Sequence, residues 1–274
     1  MRVHDVSLLA CPDTHHPVVF QGTNLETVLM DGVLVCVETG TSWAVEDGWP
    51  RLLREAPATS ARARLDKLED ALPRLHDPVV RLLPQILGGG GDGMRARLFG
   101  LLDLDGLPED GARVLEVGAA TGMNLSPLLD ALPGTAELWG TDTRVGLLGQ
   151  ARERAKDDPR LENVRLLLAS PSALPFQDAT FDRILYVGGL HGQSDPAAVM
   201  AELMRVTKPG GTIVVADERA DASGGVTGWR RRALSALGAT QRQTAPLAGF
   251  APAGAADVQV ESIDPVIEAL VVRT

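Results

Sequence analysis

From Gly111 to the end of the chain, short apolar runs alternate with segments of helical periodicity, and this alternation restricts the fold more than any other feature. Residues 113–117 (RVLEV), 137–141 (ELWGT), 164–169 (VRLLLA), 181–187 (FDRILYV) and 211–217 (GTIVVAD) read as strands. Residues 122–132, 144–158 and 195–207 read as helices between them, and a further helix begins at Trp229. Residues 258–263, a turn at Asp264-Pro265 and residues 266–272 read as a closing strand pair. Parallel strands need crossovers, and helices supply them on both faces of the sheet, so the expectation is an α/β fold around a mostly parallel sheet of seven strands.

Upstream the texture changes. As far as about residue 54, VVF, GVLVCVE and SWAV are β-rich runs separated by turn residues, which predicts a small β domain. Residues 55–110 read as helical: Leu65, Leu68 and Leu72 share one helix face, Pro73 and Pro78 interrupt it, and MRARLFGLLDL forms a later short helix. Gly88 to Gly91, with Asp92 and Gly93, make a flexible joint inside this stretch, which is therefore expected to be a movable lid. The expected division is 1–54, 55–110 and 111–274.

The 274 residues are 45% hydrophobic and 23% charged, which suffices for a packed core. The net charge of -10 argues against a nucleic-acid partner, whose binding rests on phosphate neutralisation. The tight basic run at Arg230, Arg231 and Arg232 is read as a solvated helix face. No apolar segment reaches the roughly 20 residues of a membrane span, and the N-terminus lacks a secretory apolar stretch, so a cytoplasmic protein is expected. In that compartment Cys11 and Cys36 are not expected to form a disulfide.

The segment VLEVGAATGMNL, beginning at Val114, joins an apolar strand through a glycine turn directly to a helix. Such a turn brings backbone N–H and C=O groups close to a ligand at the carboxyl end of a sheet. Glu116 ends the strand with a carboxylate facing that crevice, while Gly118 and Gly122 permit the tight turn. About 20 residues on, Asp142 ends a second strand, where a carboxylate can accept both hydroxyls of a ribose. Glycine turn, helix, strand and terminal acid together form a dinucleotide or nucleoside reader. The G-A-A-T-G spacing departs from the G-x-G-x-x-G turn of dinucleotide oxidoreductases.

This segment resembles the E/D-x-G-x-G-x-G motif of class I S-adenosylmethionine-dependent methyltransferases, type 11-like. LPFQDATFDRIL, beginning at Leu174, and AELMRVTKPGGTIVVAD, beginning at Ala201, are similar to further motifs of the same family. The resemblance runs in register from about residue 112 to 217 and implies a Rossmann-like methyltransferase fold. It also implies S-adenosylmethionine as cofactor, S-adenosylhomocysteine as product, no metal, and a small-molecule methyl acceptor. By position, Glu116 and the backbone of Gly118 and Ala119 hold the methionine end, in a turn completed by Ala120, Thr121, Gly122 and Asn124. Asp142 takes the ribose, with Thr143 and Arg144 beside the adenine and Ser170, Pro171 and Ser172 at its edge. Val187, Gly188 and His191 lie where methyl donor and acceptor meet. Two positions depart from the family pattern. Ala120 replaces the middle glycine, and Ser170 stands where the family often has an acid, so altered cofactor binding is expected.

The first stretch resembles the small zinc-ribbon domain that precedes some methyltransferases: C-P-D-T from Cys11, C-V-E-T-G from Cys36 and W-A-V-E-D-G-W-P-R-L-L from Trp43 follow its pattern. Thr14 and Thr39 stand where the second cysteine of each pair would be, so a metal-free ribbon is expected, although His15 and His16 adjoin Thr14. Its open edge offers a strand-pairing route to a homodimer.

Methyl transfer depends chiefly on in-line placement, and a base helps when the acceptor is a hydroxyl. His191 is the candidate base; a loop-capping or cofactor-contacting histidine is the alternative. Beside the small-molecule methyltransferase stand three other readings: an RNA or protein methyltransferase, an enzyme using the cofactor for a cyclisation or rearrangement, and a binding scaffold that has lost catalysis.

Overall fold

A computed structural model of the protein describes residues 1–53, 93–219, 245–264 and 267–274. The expected helix of Leu65, Leu68 and Leu72, the Gly88–Gly91 joint, the helix from Trp229 with its three arginines, and Pro265 lie outside the described residues.

In chain order the regular elements are β1 (Val18–Leu25), β2 (Val28–Cys36), β3 (Ser42–Glu46), β4 (Trp49–Leu52), α1 (Gly93–Leu101), β5 (Arg113–Val117), α2 (Leu125–Ala131) and β6 (Glu137–Asp142). They continue with α3 (Val145–Glu153), β7 (Arg165–Ala169), β8 (Phe181–Val187), α4 (Pro196–Val206), β9 (Thr207–Glu218), β10 (Asp257–Ser262) and β11 (Ile267–Arg273). The methyltransferase-like Rossmann arrangement is present: β7, β6, β5, β8 and β9 lie side by side in parallel, and the antiparallel β11 and β10 follow. The chain builds outward from β5 in one direction and from β8 in the other. The β5/β8 boundary is therefore a topological switch point, where an open sheet of this kind leaves a crevice at its carboxyl edge.

The sheet is larger than the seven strands expected. Among the described residues it has eleven, in the order β1-β2-β3-β4-β7-β6-β5-β8-β9-β11-β10. The additional four form an antiparallel meander whose last strand pairs in parallel with β7, Arg51 opposite Leu168 and Leu52 opposite Ala169. The physical reason is that β7 would otherwise present an open edge, and β4 satisfies its backbone groups. Arg152 of α3 reinforces the junction, lying over the Trp49 ring with its centroid 5.6 Å away and donating to the Asp47 carbonyl.

Apolar periodicity accounts for the packing. In α4, Val199, Met200, Leu203 and Val206 are buried along one face. Asp195 caps that helix by accepting from the Ala198 amide, and Pro196 occupies its first turn. Trp139, Phe176 and Phe181 meet edge to face at centroid distances of 4.7–6.1 Å. The same apolar cluster includes Leu9, Cys11, Leu34 and Trp43, so core packing continues from the meander into the α/β sheet.

Candidate functional site

The crevice at the carboxyl ends of β5 and β6 gathers most of the residues singled out in the sequence. Gly118 and Gly122 have φ of +72° and +74°, as the turn requires. At Gly122 a β-carbon would come within 2.9 Å of both Ala151 and Leu125, so this glycine also lets the turn pack on α3. Ala120 sits at φ +48°, in the left-handed region that disfavours a side chain, so the expected limit on positive φ is met as backbone strain. The turn is held by Ala119 N–H donating to the Thr141 carbonyl at 2.9 Å and by Arg154 Nε donating to the Thr121 carbonyl at 2.7 Å.

Asp142 closes β6 with only 5% of its surface exposed. Its Oδ2 accepts the Ala120 amide and its Oδ1 the Arg144 amide, each at 2.9 Å. These bonds, with Arg144 Nε 3.5 Å from Oδ1, aim the carboxylate at the turn. Thr143 is exposed at the mouth, and Arg144 is half-buried beside Asp142. Just beyond the end of β7, the strand beside β6, the Ser170 and Ser172 hydroxyls are 3.0 Å apart, with Pro171 buried between them.

Glu116 is the unusual member. It is 2% exposed; Oε1 accepts from Asn124 Nδ2 at 2.8 Å, and Oε2 is buried without a hydrogen-bond partner among the described residues. Burial pushes its carboxyl up to about 8; the Asp142 charge adds to the rise, while the Asn124 bond and Arg95 oppose it. Arg95, on α1, donates through Nε to Asn124 Oδ1 at 2.8 Å. Arg95 was not apparent from the sequence, because its target lies 29 residues along the chain on a different element.

A second constellation lies at the ends of β8 and β9. Gly188, with φ +71°, follows Val187 and donates to the Ala216 carbonyl. Asp217 Oδ2 accepts the His191 amide at 3.0 Å and lies 3.2 Å from Nδ1 of the same ring. Nε2 of His191 faces the Ala245 carbonyl at 2.8 Å. Burial works against charge on this ring, yet Asp217, Ala245 and Glu268 outweigh it, and His191 titrates above its ordinary value. Burial likewise works to raise Asp217, and its bonds with His191 outweigh that and lower it. Nδ1 makes no hydrogen bond among the described residues despite the 3.2 Å approach of Asp217, so this contact is an electrostatic one. Asp217 could have been found by the signal that found Glu116 and Asp142, an acid closing a predicted strand.

Other motif residues are staples. Glu202 and Arg205 pair at 2.8 Å; Glu202 accepts the Leu174 amide, and Arg205 donates to the carbonyls of Leu174 and Phe176. The similarity of 201–217 to a family motif thus reflects a clamp on the loop before β8. Thr14 Oγ1 lies 3.7 Å from Cys36 Sγ, so the turns that follow Cys11 and Cys36 approach each other. Burial raises the Cys36 thiol, but hydrogen bonds from Thr39, Glu38 and Thr14 leave it near 6; Cys11 and Cys36 are free and buried.

Buried acids at the ends of adjacent parallel strands, flanking a left-handed glycine turn, suit a ligand that offers hydroxyls on one side and a cation on the other. Residues 114–211 match a methyltransferase domain family. The demethylmenaquinone methyltransferase of Renibacterium salmoninarum is 32% identical over 161 residues, covering 57% of this chain and 62% of the relative. The ubiquinone/menaquinone biosynthesis C-methyltransferase of Geobacter sulfurreducens is 29% identical over 106 residues, 39% of this chain and 41% of the relative. The chain thus spans less than two thirds of these relatives. Among solved structures, an S-adenosylmethionine-dependent methyltransferase from Aquifex aeolicus superposes with a TM-score of 0.50 at 19% identity, over 78% of this chain and 99% of that one. Phosphoethanolamine N-methyltransferase 2 of Haemonchus contortus gives 0.59 at 13% identity, over 85% and 62%. These similarities establish the methyltransferase fold around the crevice.

Proposed function

We propose that the chain is an S-adenosylmethionine-dependent methyltransferase acting on a small molecule. The observation that carries this reading is the placing of Glu116 and Asp142 at the ends of adjacent strands around the Gly118–Gly122 turn. The residues fit the cofactor: the unpartnered Glu116 Oε2 can receive the methionine ammonium, and Asp142 can accept the ribose hydroxyls. The bound cofactor supplies an electrophilic methyl group on its sulfonium. The turn holds the donor, Ser170 to Ser172 border its base, and Val187 and Gly188 flank the path to the acceptor. His191 can serve an acceptor that must lose a proton only as a neutral ring whose Nε2 carries the lone pair and has turned from the Ala245 carbonyl.

The relatives' names, which refer to quinone biosynthesis, support a small organic acceptor, and the net charge of -10 favours it over RNA. No described helix is long and apolar enough to cross a membrane. The reading retains residues 1–54 as a metal-free ribbon, 55–110 as a lid and 111–274 as the transfer domain, in a cytoplasmic protein whose β1 edge could pair with a second copy.

Calorimetric titration with S-adenosylmethionine and S-adenosylhomocysteine tests the proposal, with Asp142→Ala as control. Micromolar binding by the wild type, weakened at least about tenfold by Asp142→Ala, is expected from the loss of a charge-assisted bond. Failure to bind either form would overturn it and leave a scaffold role.

A further inference from the structure

We propose that Glu116 is a proton-exchanging seat: it holds a proton on Oε2 until a cationic ligand group docks, then loses that proton to solvent, and is positioned for this exchange by Arg95 acting through Asn124. The inference rests on the cofactor reading above for the identity of the ligand, but the argument for it is local. The Glu116 carboxyl is 2% exposed, and a buried ionised oxygen without a donor carries a large desolvation penalty. One oxygen has a donor, Asn124 Nδ2 at 2.8 Å; the other has none among the described residues. The charged groups acting on Glu116 come from two neighbouring elements. Asp142, closing β6, opposes its ionisation, and Arg95, on α1, favours it. The balance leaves the proton in place, with the carboxyl pushed up to about 8.

An ammonium group at Oε2 reverses that balance. It brings a positive charge and hydrogen-bond donors to the unpartnered oxygen, and the carboxylic acid becomes a carboxylate with release of one proton. No other group changes its protonation, so the exchange is balanced by solvent alone.

The Arg95 contact gives the device its direction. A side-chain amide can present either its oxygen or its nitrogen to a carboxyl group, and only the nitrogen can stabilise the ionised form. The Arg95 Nε–H at 2.8 Å occupies the Asn124 oxygen and thereby turns the nitrogen toward Glu116. Arg95 is thus a positioning residue, reaching the crevice from the segment that precedes the transfer domain.

Two measurements test this. First, the full-length protein carrying carboxyl-labelled glutamate is titrated by carbon NMR without ligand, with Glu116→Gln identifying the resonance. A transition near pH 8 is expected, and an ordinary glutamate transition would overturn the proposal. Second, S-adenosylhomocysteine binding is followed by calorimetry in buffers of different ionisation enthalpy. Near pH 7 the wild type should release close to one proton per ligand, and its affinity should rise about tenfold per pH unit between pH 6 and 7. Arg95→Ala should move the NMR transition and the affinity profile to higher pH, whereas Arg95→Lys should restore only the electrostatic part of that shift. A merely structural Arg95 would change stability and leave both profiles in place, which would overturn its assigned role. Binding without proton release overturns the proton seat alone. Absence of all binding overturns the cofactor reading and the exchange that depends on it.

Discussion

Two buried acids lie at the same edge of the sheet and answer the cost of burial differently. Asp217, ending β9, is matched by the His191 ring at 3.2 Å and by the amides of His191 and Glu218. Glu116, ending the neighbouring half at β5, has one amide donor and one bare oxygen. Asp217 titrates below its ordinary value and Glu116 far above its own. The difference teaches that Asp217 has a basic ring and two amides to offset its burial, whereas Glu116 has one side-chain amide and, among the described residues, no donor at its second oxygen.

The largest loss of stability should come from removing the carboxylate of Asp217. Asp217→Asn removes the carboxylate that faces the buried His191 ring and should cost about 3 kcal/mol of stability by urea denaturation below pH 6.5, where the ring is protonated. A loss below about 1 kcal/mol would mean that the pair is effectively solvated.

The pH dependence sharpens the contrast. Glu116 has a folded pKa of about 8 against an ordinary 4.5, so its contribution is complete below about 4.5 and declines as pH rises to about 8. Glu116→Gln keeps the neutral shape and should lie within about 1 kcal/mol of wild type at pH 5. Its stability relative to wild type should then rise by up to about 1.4 kcal/mol per pH unit until pH 8. The His191–Asp217 pair behaves otherwise. His191 is raised above 6.5, so its share is present below that value and is lost as pH rises through its folded pKa. Asp217 is lowered below 3.8, so its share is present above that value and is lost as pH falls through its folded pKa. Asp217→Asn should therefore flatten both limbs of the stability profile, and Glu116→Gln only the alkaline one.

The smallest effect is expected at Ala120. Ala120→Gly relieves a φ of +48° but enlarges the unfolded ensemble, for a net gain of roughly 0.5 kcal/mol. Cofactor affinity should improve a few fold if strain opposes occupation of the turn. Weaker binding by the glycine variant would show that the alanine conformation is instead pre-organised.

The strand–helix alternation, the glycine turn and the acids closing strands at Glu116 and Asp142 were legible because each is written in contiguous residues. Local periodicity and local backbone demands fix them before any long-range contact forms. Three features were not legible. The meander joins the α/β sheet through Arg51 and Leu52 beside β7, a pairing across more than a hundred residues that no local signal encodes. Arg95 reads as one more charge on a short helix until α1 packs beside Asn124. His191 reads as a free imidazole until Asp217 and Ala245 close on it from either side.

Sequence by itself determined the class of fold and the chemistry available at its carboxyl edge, because turn geometry and side-chain functional groups are properties of short segments. Tertiary structure alone decided how each group is charged. Protonation follows from the dielectric surroundings and from partners supplied by distant elements, so the same carboxyl group becomes a paired anion on one side of the switch point and a protonated acid on the other.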